Sequence, residues 1–155
     1  MVITEFKIIE IEINYDGRNN LDKIVPVNNS FSGYNLSSNG KEVAYIFRGE
    51  IFVSSIENGT TKRITNTPYQ ERSVNFSPDG KSLLYAAEVN NSWGIFETSI
   101  VREDEPYFYA STLLKEEPII ENQNDNYEPK FSPDGKEIAF IENRNTLRIF
   151  NLASK

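Results

Sequence analysis

The chain has 155 residues, enough for one domain or a piece of a larger one, with 16 Lys and Arg against 23 Asp and Glu and a net charge of −7. It holds no Cys, which excludes disulfides and thiolate chemistry, and no His, which removes the commonest general base and metal ligand. No basic run with interleaved aromatics is present, which disfavours nucleic acid, and no apolar stretch reaches the ~20 residues that span a bilayer, so no membrane insertion is expected.

In chain order, Lys7 to Ile13, the turn Asp16-Gly17 and Leu21 to Val25 read as two strands joined by a turn. Asn14 to Asn19 superficially resembles a calcium loop, but the oxygen spacing and the closing Glu are wrong, so it is read as a hairpin turn. Next comes Ser37-Ser-Asn-Gly-Lys41, then two strands, Glu42 to Phe47 and Glu50 to Ile56, parted by the turn Arg48-Gly49. The turn Asn58-Gly59 and a short strand, Thr61 to Thr65, complete the group.

The order then repeats. Ser77-Pro-Asp-Gly-Lys81 precedes strands Ser82 to Ala87 and Trp93 to Ile100, and Ser132-Pro-Asp-Gly-Lys136 precedes Glu137 to Ile141 and Leu147 to Leu152. Gly40, Gly80 and Gly135 stand 40 and 55 residues apart, a period that signals an array of repeats. In the turn, Pro78 and Pro133 preset φ, Asp79 and Asp134 tolerate the bridge region, and Gly80 and Gly135 accept positive φ, which predicts three-residue hairpin loops. The strand after each turn is apolar on both faces and must be covered on both sides: Ala44 and Ala139 share one face, and Tyr45, Tyr85 and Phe140 fill the other. The 15 extra residues of the longer period fall between Arg102 and Pro118. There, Pro106 to Thr112 is taken as the fourth strand, with a helical turn near Leu113 to Glu117; Glu103-Asp-Glu105 reads as a solvated loop.

Four antiparallel strands per repeat describe an all-β chain of β-propeller blades forming a partial ring. The boundaries are a half blade over 1–27, a blade over 28–67, a blade with insertion over 68–120 and an incomplete blade over 121–155. No segment holds a helical apolar period, so no helix longer than two turns is expected. An arc of blades leaves faces and strand edges bare, which predicts self-association.

Arg48-Gly-Glu-Ile-Phe52, Thr65-Asn-Thr-Pro68, Glu71-Arg-Ser73 and Phe76 to Lys81 together resemble the propeller of tricorn-type proteases, and Tyr127 to Phe140 is similar to that family's next blade. The Ser-Pro-Asp-Gly-Lys unit is shared with TolB-like propellers and prolyl-oligopeptidase-type peptidases. The resemblance implies a non-catalytic segment that gates or binds peptides for a PDZ-like domain and a serine-peptidase core outside this chain. The alternatives are a TolB-like propeller that binds a protein partner in the cell envelope, and the propeller of a prolyl-oligopeptidase-type peptidase. No cofactor and no metal are implied. The N-terminus lacks the zones of a signal peptide, and for the parent protein the periplasm or cell envelope is favoured over the cytoplasm.

Turns of a propeller blade alternate between the two ends of the disc. The Ser-Pro-Asp-Gly turns and Asn58-Gly59 then share one end, and the opposite end holds Arg48, Glu71, Arg72, Tyr127 and Glu128 around the mouth of a central channel. Such a ring of charged and aromatic groups suits peptide termini and backbone amides. The alternative is that Arg48 and Arg72 make structural ion pairs between blades. Trp93 is read as packing at a blade edge, and Asp79 and Asp134 as turn residues with no catalytic part.

Overall fold

The computed structural model describes Val25 and residues 30 to 154. Three antiparallel meanders follow one another. The first is β1 (Phe31–Leu36), β2 (Glu42–Phe47), β3 (Glu50–Ser55) and β4 (Thr61–Arg63). The second is β5 (Glu71–Phe76), β6 (Ser82–Val89), β7 (Ser92–Ile100) and β8 (Leu114–Ile120), and the third is β9 (Asn126–Phe131), β10 (Glu137–Glu142) and β11 (Thr146–Asn151). The first strands lie side by side, β1 against β5 and β5 against β9, so the sheets fan out as blades of a partial propeller. The only helical segments among the described residues are 3-10 turns at Phe108–Ala110 and Leu152–Ser154. The half blade expected over 1–27 lies outside the described residues, apart from Val25.

The repeated turn is held by side chains as well as by backbone. In the second blade the Gly80 N–H donates to Ser77 O at 2.9 Å, with Gly80 at φ +74°. The Ser77 hydroxyl donates to Asp79 Oδ1 at 2.6 Å and accepts the Ser82 N–H at 2.9 Å, while Asp79 Oδ1 also takes the Lys81 N–H at 3.0 Å. Ser132 and Asp134 repeat the arrangement, and Ser37 and Asn39 reproduce it without proline. Because the Ser77 N–H donates to Ser82 O, the loop holds four residues, one more than the sequence predicts. The Asx side chain takes the Lys81 amide that would otherwise face water alone. Partial burial alone would raise Asp79, but the Ser77 hydroxyl and the Lys81 N–H outweigh it and hold the carboxyl below its usual range.

Two cores lie between blades. Ala44, Ile46, Ile51 and Val53 of the first blade meet Val74, Phe76, Leu83, Tyr85, Ala87 and Phe96 of the second. The opposite face of the second blade, with Leu84 and Ile95, meets Ile138 and Phe140 of the third. This is why β6 is apolar on both faces: alternate residues belong to different cores.

The long insertion differs from the expectation. The fourth strand is Leu114–Ile120, and Pro106 to Thr112 holds the 3-10 turn Phe108–Ala110, which reaches back over the first blade. Phe108 is fully buried in the first interblade core, 5.9 Å from Phe76 ring to ring. The Tyr109 N–H donates to Glu42 Oε1 at 3.1 Å, and Lys62 Nζ donates to Ser111 O. Pro118 is tolerated in β8 because that strand is the outermost of its sheet among the described residues, where a missing N–H breaks no ladder.

Each first strand carries a bulge at one repeated position. Gly33, Ser73 and Glu128 stand seven residues before their turn glycines and have φ of +76°, +57° and +50°. The ladder shifts register there in all three blades. A bulge re-aims the side chains beside it, here Arg72 and Tyr127 at one end of the arc.

Candidate mouth of the arc

The turns β2–β3, β6–β7 and β10–β11 have paired left-handed residues: Arg48 and Gly49, Asn90 and Asn91, Asn143 and Arg144. Such turns match strand twist and keep hairpins tight. They sit against the segments that lead into the neighbouring first strands. Gly49 O accepts the Glu71 N–H at 2.8 Å, and Asp125 O accepts the Asn143 N–H at 2.8 Å. The turns and the entries to β5 and β9 therefore share one end of the arc.

Four side chains stack at this end. The Arg72 guanidinium lies 4.8 Å over the Trp93 ring, Trp93 and Tyr127 lie 5.7 Å apart, and Arg144 lies 5.6 Å over Tyr127. Asp125 fixes the middle of the stack: its carboxylate accepts the Trp93 N–H at 3.1 Å and the Tyr127 hydroxyl at 2.9 Å. Trp93 is buried, Tyr127 is half-buried, and Arg72 and Arg144 are exposed. Neither arginine makes an ion pair among the described residues. Each guanidinium spends a face on a ring and keeps its N–H edge for water or an anion.

Of the residues expected at the mouth, the structure brings Arg72 and Tyr127 together through Trp93. Arg48 is exposed on its turn, 5.2 Å over the Phe47 ring, and Glu128 is exposed in its bulge. Aromatic stacking, with no ion pair between blades among the described residues, is what holds Arg48 and Arg72. Glu71 needs correction. It is 1% exposed and faces the loop before it, with Thr67 donating at 2.7 Å and Thr65 at 3.2 Å to its carboxyl. Burial raises the Glu71 carboxyl to about 7, against the pull of those hydroxyls. It clamps a loop and is no part of an open mouth.

Pro78, Asp79, Gly80, Pro133, Asp134 and Gly135 occupy the opposite end of their strands, as turn residues. Arg144 and Asp125 were missed. Arg144 could have been found from its place in the turn equivalent to Arg48-Gly49. No group of three or more carboxylates is placed to hold a metal ion among the described residues.

No family model matches the chain. It is 25% identical to the uncharacterized peptidase YuxL of Bacillus subtilis over 69% of this chain, which is 21% of that protein. In structure it is similar to a protein assigned as TolB from Agrobacterium tumefaciens (TM-score 0.62, 16% identity, 79% of this chain and 45% of that one). TolB from Acinetobacter baumannii is similar as well (TM-score 0.57, 20% identity, 79% of this chain and 30% of that one). So is a Bacteroides fragilis protein assigned as a 6-phosphogluconolactonase (TM-score 0.58, 16% identity, 78% of this chain and 34% of that one). The fold is that of a TolB-like propeller. The chain spans less than half the length of each of these relatives.

Proposed function

We propose that this chain is a non-catalytic propeller segment that holds the carboxylate end of a peptide at its mouth, for a serine-peptidase core outside the chain, as in tricorn-type proteases. The observation that carries the reading is the Arg72–Trp93–Tyr127–Arg144 stack, two exposed guanidinium groups bracketing two rings. Guanidinium edges match carboxylates in bidentate geometry, and the two rings hold the guanidinium groups in place. The peptidase-named relative supports the link to peptide chemistry.

A second reading, a TolB-like propeller that binds a folded protein partner, is favoured by the two TolB structures. Calorimetric titration separates them. Short peptides with a free C-terminal carboxylate should bind, and Arg72→Gln or Arg144→Gln should weaken them by about tenfold or more. Peptide binding that ignores both substitutions, or none at all, would remove the first reading and leave the second.

A further inference from the structure

A third guanidinium stands at this end of the arc, outside the four-membered stack. Arg48 lies in the β2–β3 turn at φ +55° and is exposed, with one face 5.2 Å over the Phe47 ring. That ring is fixed in its turn: Phe52 meets it edge-on at 6.2 Å and itself stacks on Tyr45 at 5.9 Å. Arg48 is therefore held as Arg72 and Arg144 are, by an aromatic ring, and keeps its N–H edge for water or an anion.

The two carboxyls that flank its turn are already engaged. Glu50 forms an ion pair with Arg63 at 2.5 Å, and Glu71 is buried with the Thr65 and Thr67 hydroxyls upon it. Arg48 makes no ion pair among the described residues. Blades pack through their sheet faces, whereas this turn lies at the strand ends, so contacts between blades leave Arg48 accessible.

Arg48 is also close to Arg72. Gly49 O accepts the Glu71 N–H at 2.8 Å, and a Cβ on Gly49 would come 3.4 Å from Gln70 Cγ. Arg48 and Arg72 each lie one residue from that hydrogen bond, which puts their backbones within about 13 Å of one another. About four residues of extended peptide span such a distance. Arg48, Arg72 and Arg144 thus run from the first blade to the third. The exposed acids near this end, Glu88 and Glu128, belong to the second and third blades. A second negative charge on a bound peptide is therefore best met on the first-blade side.

We infer that Arg48 selects peptides with an acidic side chain a few residues before the C-terminus, pairing that carboxylate while Arg72 and Arg144 hold the terminal one. The inference rests on the carboxylate-binding reading of the stack and adds a side-chain preference to it.

Calorimetric titration of the unmodified chain with acetylated hexapeptides tests it. Each peptide ends in a free carboxylate and is otherwise neutral, except for one Glu placed two, three or four residues before the last, or Gln at the same place. At one of these positions the Glu peptide should bind about three- to tenfold more tightly than its Gln counterpart. Arg48→Gln should remove that preference, so that the two peptides bind the variant alike, with its fold verified by circular dichroism. Equal binding of the Glu and Gln peptides at every position would overturn the inference and leave the carboxylate reading standing. A preference that survives Arg48→Gln would do the same. Binding of no peptide at all would overturn both.

Discussion

Glu71 and Asn126 occupy the same place in successive repeats, nine residues before the turn glycine, and both are buried, at 1% and 0% exposure. Each opens its first strand and reaches back to the loop before it. Glu71 takes the Thr65 and Thr67 hydroxyls, and the Asn126 amide donates to Asn122 Oδ1 at 3.0 Å and Asn124 O at 2.9 Å. The shared role explains why a carboxyl is buried where its partners among the described residues are two hydroxyls. Thr65 has one proton, yet it lies 3.1 Å from Glu50 Oε2 and 3.2 Å from Glu71 Oε2 while taking the Ile51 N–H at 2.8 Å. Burial is why the Glu71 carboxyl holds its proton more tightly than an exposed carboxyl does, although two hydroxyls oppose it.

A pH dependence follows from this clamp. Burial lifts Glu71 to about 7 from 4.5, so the folded chain binds a proton there more tightly than the unfolded chain does. The contribution is fully present below pH 4.5 and is lost as pH rises through 7. After allowance for solvent screening it amounts to about 1–2 kcal/mol. Urea titrations at several pH values should show Glu71→Gln flattening this part of the profile; an unchanged slope would remove Glu71 as its source.

The insertion should act as a clasp between blades. Phe108→Ala empties a fully buried site beside Phe76 and should cost about 3–5 kcal/mol in chemical denaturation. A cost under about 1 kcal/mol would mean that Pro106 to Thr112 packs loosely.

At the turns, backbone conformation should outweigh side-chain bonding. A Cβ at Gly80 meets nothing within 4 Å, so Gly80→Val is opposed by its φ of +74° alone and should cost about 1–3 kcal/mol. Asp79→Ala loses two hydrogen bonds at an exposed site and should cost less, about 1 kcal/mol. The order of the two midpoints in urea is the check.

Much of the fold was legible because the turns state their geometry: proline, aspartate and glycine each suit one backbone region, and the strands between them carry a two-sided apolar pattern. The insertion was misread because the aromatic run Tyr107 to Tyr109 has strand composition, whereas its 3-10 turn is set by the burial of Phe108 against a different blade. Glu71 was misplaced for a different reason. It opens a strand that bulges two residues later, at Ser73, and no glycine marks that bulge. The strand's inward and outward sides therefore could not be counted off. The turn pattern puts Arg72 and Tyr127 near one end of the strands, while the stack that joins them depends on Trp93 from a neighbouring strand and Arg144 from a distant turn.

Arg144 separates stability from binding. It holds φ +64°, where a non-glycine residue costs about 1 kcal/mol. Arg144→Gly should therefore leave thermal stability equal or slightly raised while weakening peptide binding. Loss of both together, by calorimetry on the same sample, would mean that the arginine serves the fold.

The central claim is a carboxylate held beside Trp93, and the chain has no other tryptophan. Its emission is therefore a reporter placed inside the stack. Titration with a short peptide bearing a free C-terminal carboxylate should change Trp93 emission saturably. The same peptide with an amidated C-terminus should require a concentration about tenfold higher. Equal responses to the two peptides, or none to either, would contradict the account.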